Sequence, residues 1–357
     1  MLFQVILLPS AFSSPPPNDE AAAFFYPAGI SFLQDLLENC ILLIDPRVSN
    51  DGIPAIVALS DAIREWPEQF KIRAQRVLSM LEKKKRFHAI RTQYNPEDRC
   101  PLAHCKHAIA VGGLMVNQRI VVLAGGACIA CSITILDQAQ VIAIQNYPVS
   151  EFSQKRRLKR VVVLQDGQWT NEQFEQAVLV PVLRYAEIVK LYDRLITRSI
   201  DLQEVDGEKA TLRENYKLTL EWIVSVFSRE SMATTKQVEI YCAVSTGLDN
   251  KQLKKLETGL QEFQSQLRRQ TGVRISIYLK EETQNLRMPH GRYLITDKIG
   301  LLVERGFDLL WDDRTMARAG LDPARDKRRL RDVMVTICPD PSGIESATSR
   351  LRNARVV

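Results

Sequence analysis

Between residues 166 and 310 the apolar residues change period repeatedly, from helical spacing to short β-rich runs and back, and few folds accommodate that order. "WTNEQFEQAVLVPVLRYA" predicts a helix with its N-cap at Thr170 and Gln173 three residues on, the spacing of a capping box. "EIVKLYDRLI" predicts a strand, and "ENYKLTLEWIVSVFSRE" an amphipathic helix. "QVEIYCAVS" is a further strand, after which Asp249-Asn250 caps a helix. That helix sets Leu253, Leu256, Leu260, Phe263 and Leu267 in one apolar stripe, read as core packing because the run is too short for a coiled-coil partner. "GVRISIYLK" is the next strand, and "GRYLITDKIGLLVERGFDLL" gives two short strands turning at Asp297 to Gly300, a hairpin. The order helix, strand, helix, strand, helix, strand, hairpin specifies an α/β layered sheet, with functional residues expected at strand ends.

The 357 residues exceed one typical compact unit, and the texture changes near 166. The expected division is an α/β domain over 1–165, a second over 166–320, and a basic extension over 321–357. In the first, "MLFQVILLP" reads as an opening strand: it lacks the positive region that begins a signal peptide. "GISFLQDLLENC" reads as a helix, "CILLIDP" as a buried strand, and about 67–84 as a helix with Phe70, Ala74, Val77, Leu78 and Leu81 on one face. The Val, Ile, Ala and Gly-rich stretch 108–148 supplies more strands, as does "KRVVVLQDG". The GG pairs of "AVGGLMV" and "LAGGACIA" match no Gly-rich phosphate loop, so no cofactor is implied.

Seven cysteines, several within apolar runs, favour a reducing compartment over a disulfide framework. No apolar run reaches the length of a membrane span, so a cytoplasmic protein without membrane contact is expected. The net charge of +6 permits a polyanionic partner, and the basic residues cluster at 82–88, 154–160 and 324–332. Such runs are commonly solvated faces, but three of them favour a phosphate-rich ligand, nucleic acid in particular.

Two constellations carry metal chemistry as alternatives. Cys100, His104, Cys105 and His107, with Cys128 and Cys131, have the residue types of a zinc site. Strand alternation would turn Cys128 and Cys131 to opposite faces, so buried thiols are the default. Asp45, Asp51, Asp61 and Glu65 could hold a divalent cation, although an aspartate before proline is equally a turn former.

The remaining motif begins at "MPHGRYLITDKIG": His290, Arg292 and Asp297 have the spacing H-x-R-x4-D. An imidazole there can attack phosphorus, a cation can neutralise its oxygens, and a carboxylate can orient the ring. The pattern resembles the phospholipase D signature with arginine for lysine. With "RGFD" (Arg305, Gly306, Asp308) and "LYDRLI" (Asp193, Arg194), it more closely resembles the phospholipase D-like domain at the C-terminus of microtubule-interacting-and-trafficking (MIT) proteins and its bacterial relatives. The resemblance covers about 166–312. It implies a phosphate pocket built from His290, Arg292, Asp297, Asp193, Arg194, Arg305 and Asp308. It also implies a component of a bacterial conflict or phage-defence system, a nuclease or a binding module.

The chain departs from catalytic members in lacking the lysine and the downstream G-S/G-x-N element. It has one such motif where they use two histidines, so metal-free phosphodiester cleavage would require a homodimer. The MIT-linked domains are thought to bind phosphoinositide or protein surfaces without cleavage. Three readings stay open for His290: nucleophile, phosphate ligand, or the start of an exposed strand. A structural subunit with protein partners is the further alternative.

Overall fold

The computed structural model describes residues 3–7, 9–15, 20, 22–44, 49–50, 53–89, 119–122, 140–151, 153–154, 161–197, 212–245, 249–338 and 341–356. The chain forms two compact units, Met1–Lys159 and Arg160–Val357.

In the first unit β1 (Phe3–Leu7) leads through α1 (Ala22–Asn39) into β2 (Cys40–Ile44). A two-strand ribbon, β3 (Ser49–Asn50) and β4 (Ile53–Pro54), precedes α2 (Ala55–Arg64) and α3 (Glu68–Lys83). β5 (Phe87–Ala89), β6 (Arg119–Val122) and β7 (Gln140–Ile142) complete a five-stranded sheet in the order β5-β2-β1-β6-β7, with every pair parallel. A parallel sheet buries both faces, which explains the uninterrupted apolar run of "CILLI". Trp66 centres the core. It stacks on Phe12 and donates from Nε1 to the Phe12 carbonyl at 2.7 Å. Gly29 passes so close to the Trp66 ring that a Cβ would lie 2.6 Å from it.

The second unit begins with β8 (Val161–Leu164) and α4, which runs over Asn171–Phe174, widens through a π turn at Glu175–Leu179 and ends as Val180–Leu183. Thr170 accepts from the Gln173 amide while the Gln173 side chain accepts from Thr170 N–H, the expected capping box. β9 (Ile188–Tyr192), α5 (Glu214–Glu230), β10 (Gln237–Ser245), α6 (Asn250–Thr271) and β11 (Arg274–Glu282) follow, then the hairpin β12 (Arg292–Thr296) and β13 (Gly300–Val303). This is the alternation expected from the sequence. The α6 stripe packs inward, with Leu256, Leu260, Phe263 and Leu267 buried.

The expected C-terminal extension is not one. After α7 (Asp313–Arg318), residues 321–357 supply β14 (Val333–Cys338), α8 (Ser342–Ser349) and β15 (Asn353–Val356), and both strands join the same sheet. Its order is β15-β11-β10-β9-β12-β13-β14-β8, with β9, β10 and β11 parallel and the remaining pairs antiparallel. β8 also belongs here rather than before the boundary at 166, because it pairs with β14. The basic run at 324–332 is largely occupied within the fold. Lys327 pairs with Glu172, Arg328 with Asp313, and Arg331 lies near Asp308 and Asp312. No helix among the described residues is long and apolar enough to cross a membrane.

Candidate phosphate site

Strand direction decides which residues meet. The C-terminal ends of β9 and β11, the start of β12, the end of β13 and the start of β14 all lie along one edge of the sheet. That edge gathers Asp193 and Arg194, Glu282, His290 and Arg292, Arg305 to Asp308, and Arg331.

Asp193 is fully buried. Its Oδ1 accepts from Leu195 N–H at 2.8 Å and its Oδ2 from Phe307 N–H at 3.1 Å. Burial pushes the carboxyl above its ordinary value, against the opposing pull of those two amides and of Arg292. The loop that supplies Phe307 N–H depends on Gly306, whose φ of +122° suits glycine alone. A Cβ there would stand 3.0 Å from Asp193 Oδ2, 3.6 Å from Arg292 Nε and 3.6 Å from Asp308 Oδ1. The three side chains therefore converge on the glycine of "RGFD".

Arg292 donates from Nη1 to the Glu304 carbonyl at 3.3 Å, and its Nε is 3.8 Å from Asp193, too long for a hydrogen bond. Arg331 is similarly loose, 3.8 Å from Asp308 and 3.6 Å from Asp312. Arg305 is more committed: it pairs with Asp332 and lies 3.7 Å from Asp308. The Nε groups of Arg292, Arg305 and Arg331 are buried without a hydrogen-bond partner. With side chains 22 % and 21 % exposed and only loose pairings, Arg292 and Arg331 keep terminal donors that an anion could engage.

Arg194 is held by Glu282, Nη2 to Oε2 at 2.6 Å, and Glu282 Oε1 accepts from Met288 N–H at 2.9 Å. The same guanidinium reaches His290, Nη1 to Nδ1 at 3.2 Å. A guanidinium only donates, so Nδ1 must accept, and the ring's single proton then sits on Nε2. Nucleophilic attack through Nε2 needs the other tautomer, with Nδ1–H held by an acceptor. His290 is exposed, and its N–H lies on the ring nitrogen not engaged by Arg194, suited to a phosphate oxygen.

Asp297 is not at this edge. It follows the far end of β12, where it accepts from the amides of Glu187 at 3.0 Å and Ile188 at 3.4 Å and pairs with Lys298 at 3.2 Å. A rise of roughly 3.3 Å per residue puts it about 20 Å from His290. It fastens a turn and cannot orient the imidazole. The other six sequence candidates share the edge. Glu282 was not marked by motif spacing, nor were Tyr216, Arg213, Asp312 and Arg331, which line one cavity with Asp308. Arg331 lay within a recognised basic run, whereas Glu282 meets Arg194 from 88 positions away.

The zinc candidates Cys100, His104, Cys105, His107, Cys128 and Cys131 lie outside the described residues, as do Asp45 and Asp51. Asp61 pairs with Arg64 at 2.8 Å on an exposed helix face. Among the described residues no group of three or more His, Cys, Asp or Glu side chains is placed to share a metal ion. No protein-family model matches this chain, and no curated protein matches it.

Proposed function

We propose that the second unit is a phosphate-recognition module of phospholipase D-like layout, binding the backbone of nucleic acid without cleaving it. The observation that carries this is the contact between Arg194 and His290 Nδ1, which makes the imidazole a donor instead of a nucleophile. Arg292 and Arg331 supply the loosely paired cations, and the arginine fork matches phosphate oxygens in a bidentate manner. The position of Asp297 removes the carboxylate that a catalytic histidine would need. The resemblance of "YDR", "HGR" and "RGFD" extends the proposal to a component of a bacterial conflict or phage-defence system, acting as a homodimer or with protein partners.

The test is a gel-shift and cleavage assay with labelled single- and double-stranded DNA and RNA, with and without EDTA. Binding should weaken steeply with salt and no product should form. Arg292→Ala should weaken binding more than His290→Ala and lower the slope of log K against log salt by about 0.7–0.9, one phosphate contact. EDTA-resistant cleavage that disappears in His290→Ala would replace this proposal with a metal-independent nuclease.

A further inference from the structure

A cavity of about 560 Å³ opens at the start of α5, within the roughly 300–1,000 Å³ of small-ligand sites. Its wall includes Arg213, Asn215 and Tyr216 from that start, and Asp308, Asp312 and Arg331 from the chain facing it. Leu310 N–H donates to Thr219 Oγ1 at 3.2 Å, and Asp313 N–H to Glu214 Oε1 at 3.3 Å, which ties the two sides together.

The groups left over on this wall are donors. Arg213 occupies the N-cap position of α5 without capping it, so the amides of Glu214, Asn215 and Tyr216 lack a side-chain acceptor among the described residues. The exposed Arg213 guanidinium has no ion pair there either. Tyr216 is only 8 % exposed, and its hydroxyl makes no hydrogen bond to any described residue. That oxygen keeps accessible surface, unlike Arg331 Nε, and with the rest of Tyr216 buried the surface opens on the cavity. Burial, reinforced by Asp193 and Asp308, pushes the phenol well above its ordinary value, so it keeps its proton. The carboxylates, by contrast, are engaged. Glu214 takes the Asp313 amide, Asp312 Oδ1 accepts from Thr315 N–H at 2.7 Å, and Asp308 Oδ2 faces Arg305 and Arg331 at 3.7 and 3.8 Å. Asp308 Oδ1 is enclosed and offers a ligand nothing.

An unpaired hydroxyl donor, two guanidinium groups and the positive end of a helix call for an anion. The neighbouring carboxylates limit its charge. A phosphodiester carries one negative charge and a terminal phosphate nearly two, which Asp308 and Asp312 repel more strongly. We infer that the cavity is a second phosphate subsite, where the Tyr216 hydroxyl, Arg213 and Arg331 hold one internal phosphodiester of the bound strand while Arg292, outside the cavity, meets another. This rests on the phosphate-recognition proposal and adds a second contact to the same strand.

The experiment measures affinity against salt by fluorescence anisotropy on the full chain, with whichever of labelled single- and double-stranded DNA and RNA binds. Arg213→Ala should lower the slope of log K against log salt by about 0.7–0.9, and the double variant with Arg292→Ala by about twice that, because separate phosphates release separate counterions. Tyr216→Phe should weaken binding about tenfold at unchanged slope, the worth of one hydrogen bond to a charged acceptor. Its melting temperature should not fall, since the hydroxyl has no partner without ligand. Weaker binding together with a lower melting temperature would make Tyr216 a packing residue and overturn its role. A double variant with the slope of Arg292→Ala alone merges the contacts into one phosphate. That result, or unchanged affinity in Arg213→Ala and Tyr216→Phe, overturns the second subsite and leaves phosphate recognition standing. Binding of no nucleic acid by the wild type overturns both. Phosphatidylglycerol vesicles form a separate arm, and their capture without nucleic-acid binding assigns the phosphodiester to a lipid headgroup and also overturns both.

Discussion

Replacing Glu282 by alanine tests whether the His290 loop is held by the ion pair beneath it. Arg194 and Glu282 have side chains 9 % and 10 % exposed and meet at 2.6 Å, so water cannot compensate either charge. Removing one partner of such a pair costs about 3–5 kcal/mol, mostly the burden of the charge left behind. Glu282→Ala also strands Met288 N–H, now bonded at 2.9 Å, adding about 1 kcal/mol. Arg194→Ala keeps that amide bonded and should cost somewhat less. The double variant strands no charge, so it should be no worse than either single change, a coupling of about 3 kcal/mol, the upper end for contacting residues. The assay is denaturant unfolding followed by tryptophan fluorescence, because Trp169, Trp222 and Trp311, three of the chain's four tryptophans, lie in this unit. Additivity within about 0.5 kcal/mol would refute the reasoning. It would mean that the two side chains do not share their charge, and the tautomer argued for His290 would lose its support.

Two further outcomes concern Asp297 and Asp193. Asp297→Ala removes the acceptor of Glu187 and Ile188 N–H, so it should destabilise by about 1–3 kcal/mol and leave nucleic-acid affinity unchanged. A large loss of affinity at unchanged stability would return Asp297 to the site. Asp193 is held above its ordinary value of 3.8, chiefly by burial. The folded chain therefore keeps this proton to higher pH than the unfolded chain. The associated stability is full below 3.8 and is lost as pH rises from there through the raised value. Thermal unfolding of the wild type against Asp193→Asn should show the wild type losing ground across that rise. A constant difference would show that the two amides and Arg292 offset burial.

Much of the second unit is written in local chemistry. Capping boxes at Thr170 and Asp249, the period of α6 and the turn at Asp297 to Gly300 each act within a few residues, so short stretches suffice to specify them. The polar character of "YDR", "HGR" and "RGFD" was equally plain, as was their place at strand ends. Pairing between distant strands was not. β14 and β15 read as a basic tail because nothing within residues 321–357 announces the partners β13, β8 and β11 with which they pair. Spacing likewise grouped Asp297 with His290, although a strand carries residues seven apart to opposite ends of the sheet.

Propensity, capping and hydrophobic period are local properties, and they specify the alternation of elements and the residue types at the edge. The tertiary structure alone decided that Glu282 holds Arg194, that Arg194 sets the His290 tautomer, and that Tyr216 and Asp308 face one cavity. These relations depend on strand order and on the Gly306 turn, which bring together residues separated by tens of positions. No local signal encodes such a meeting.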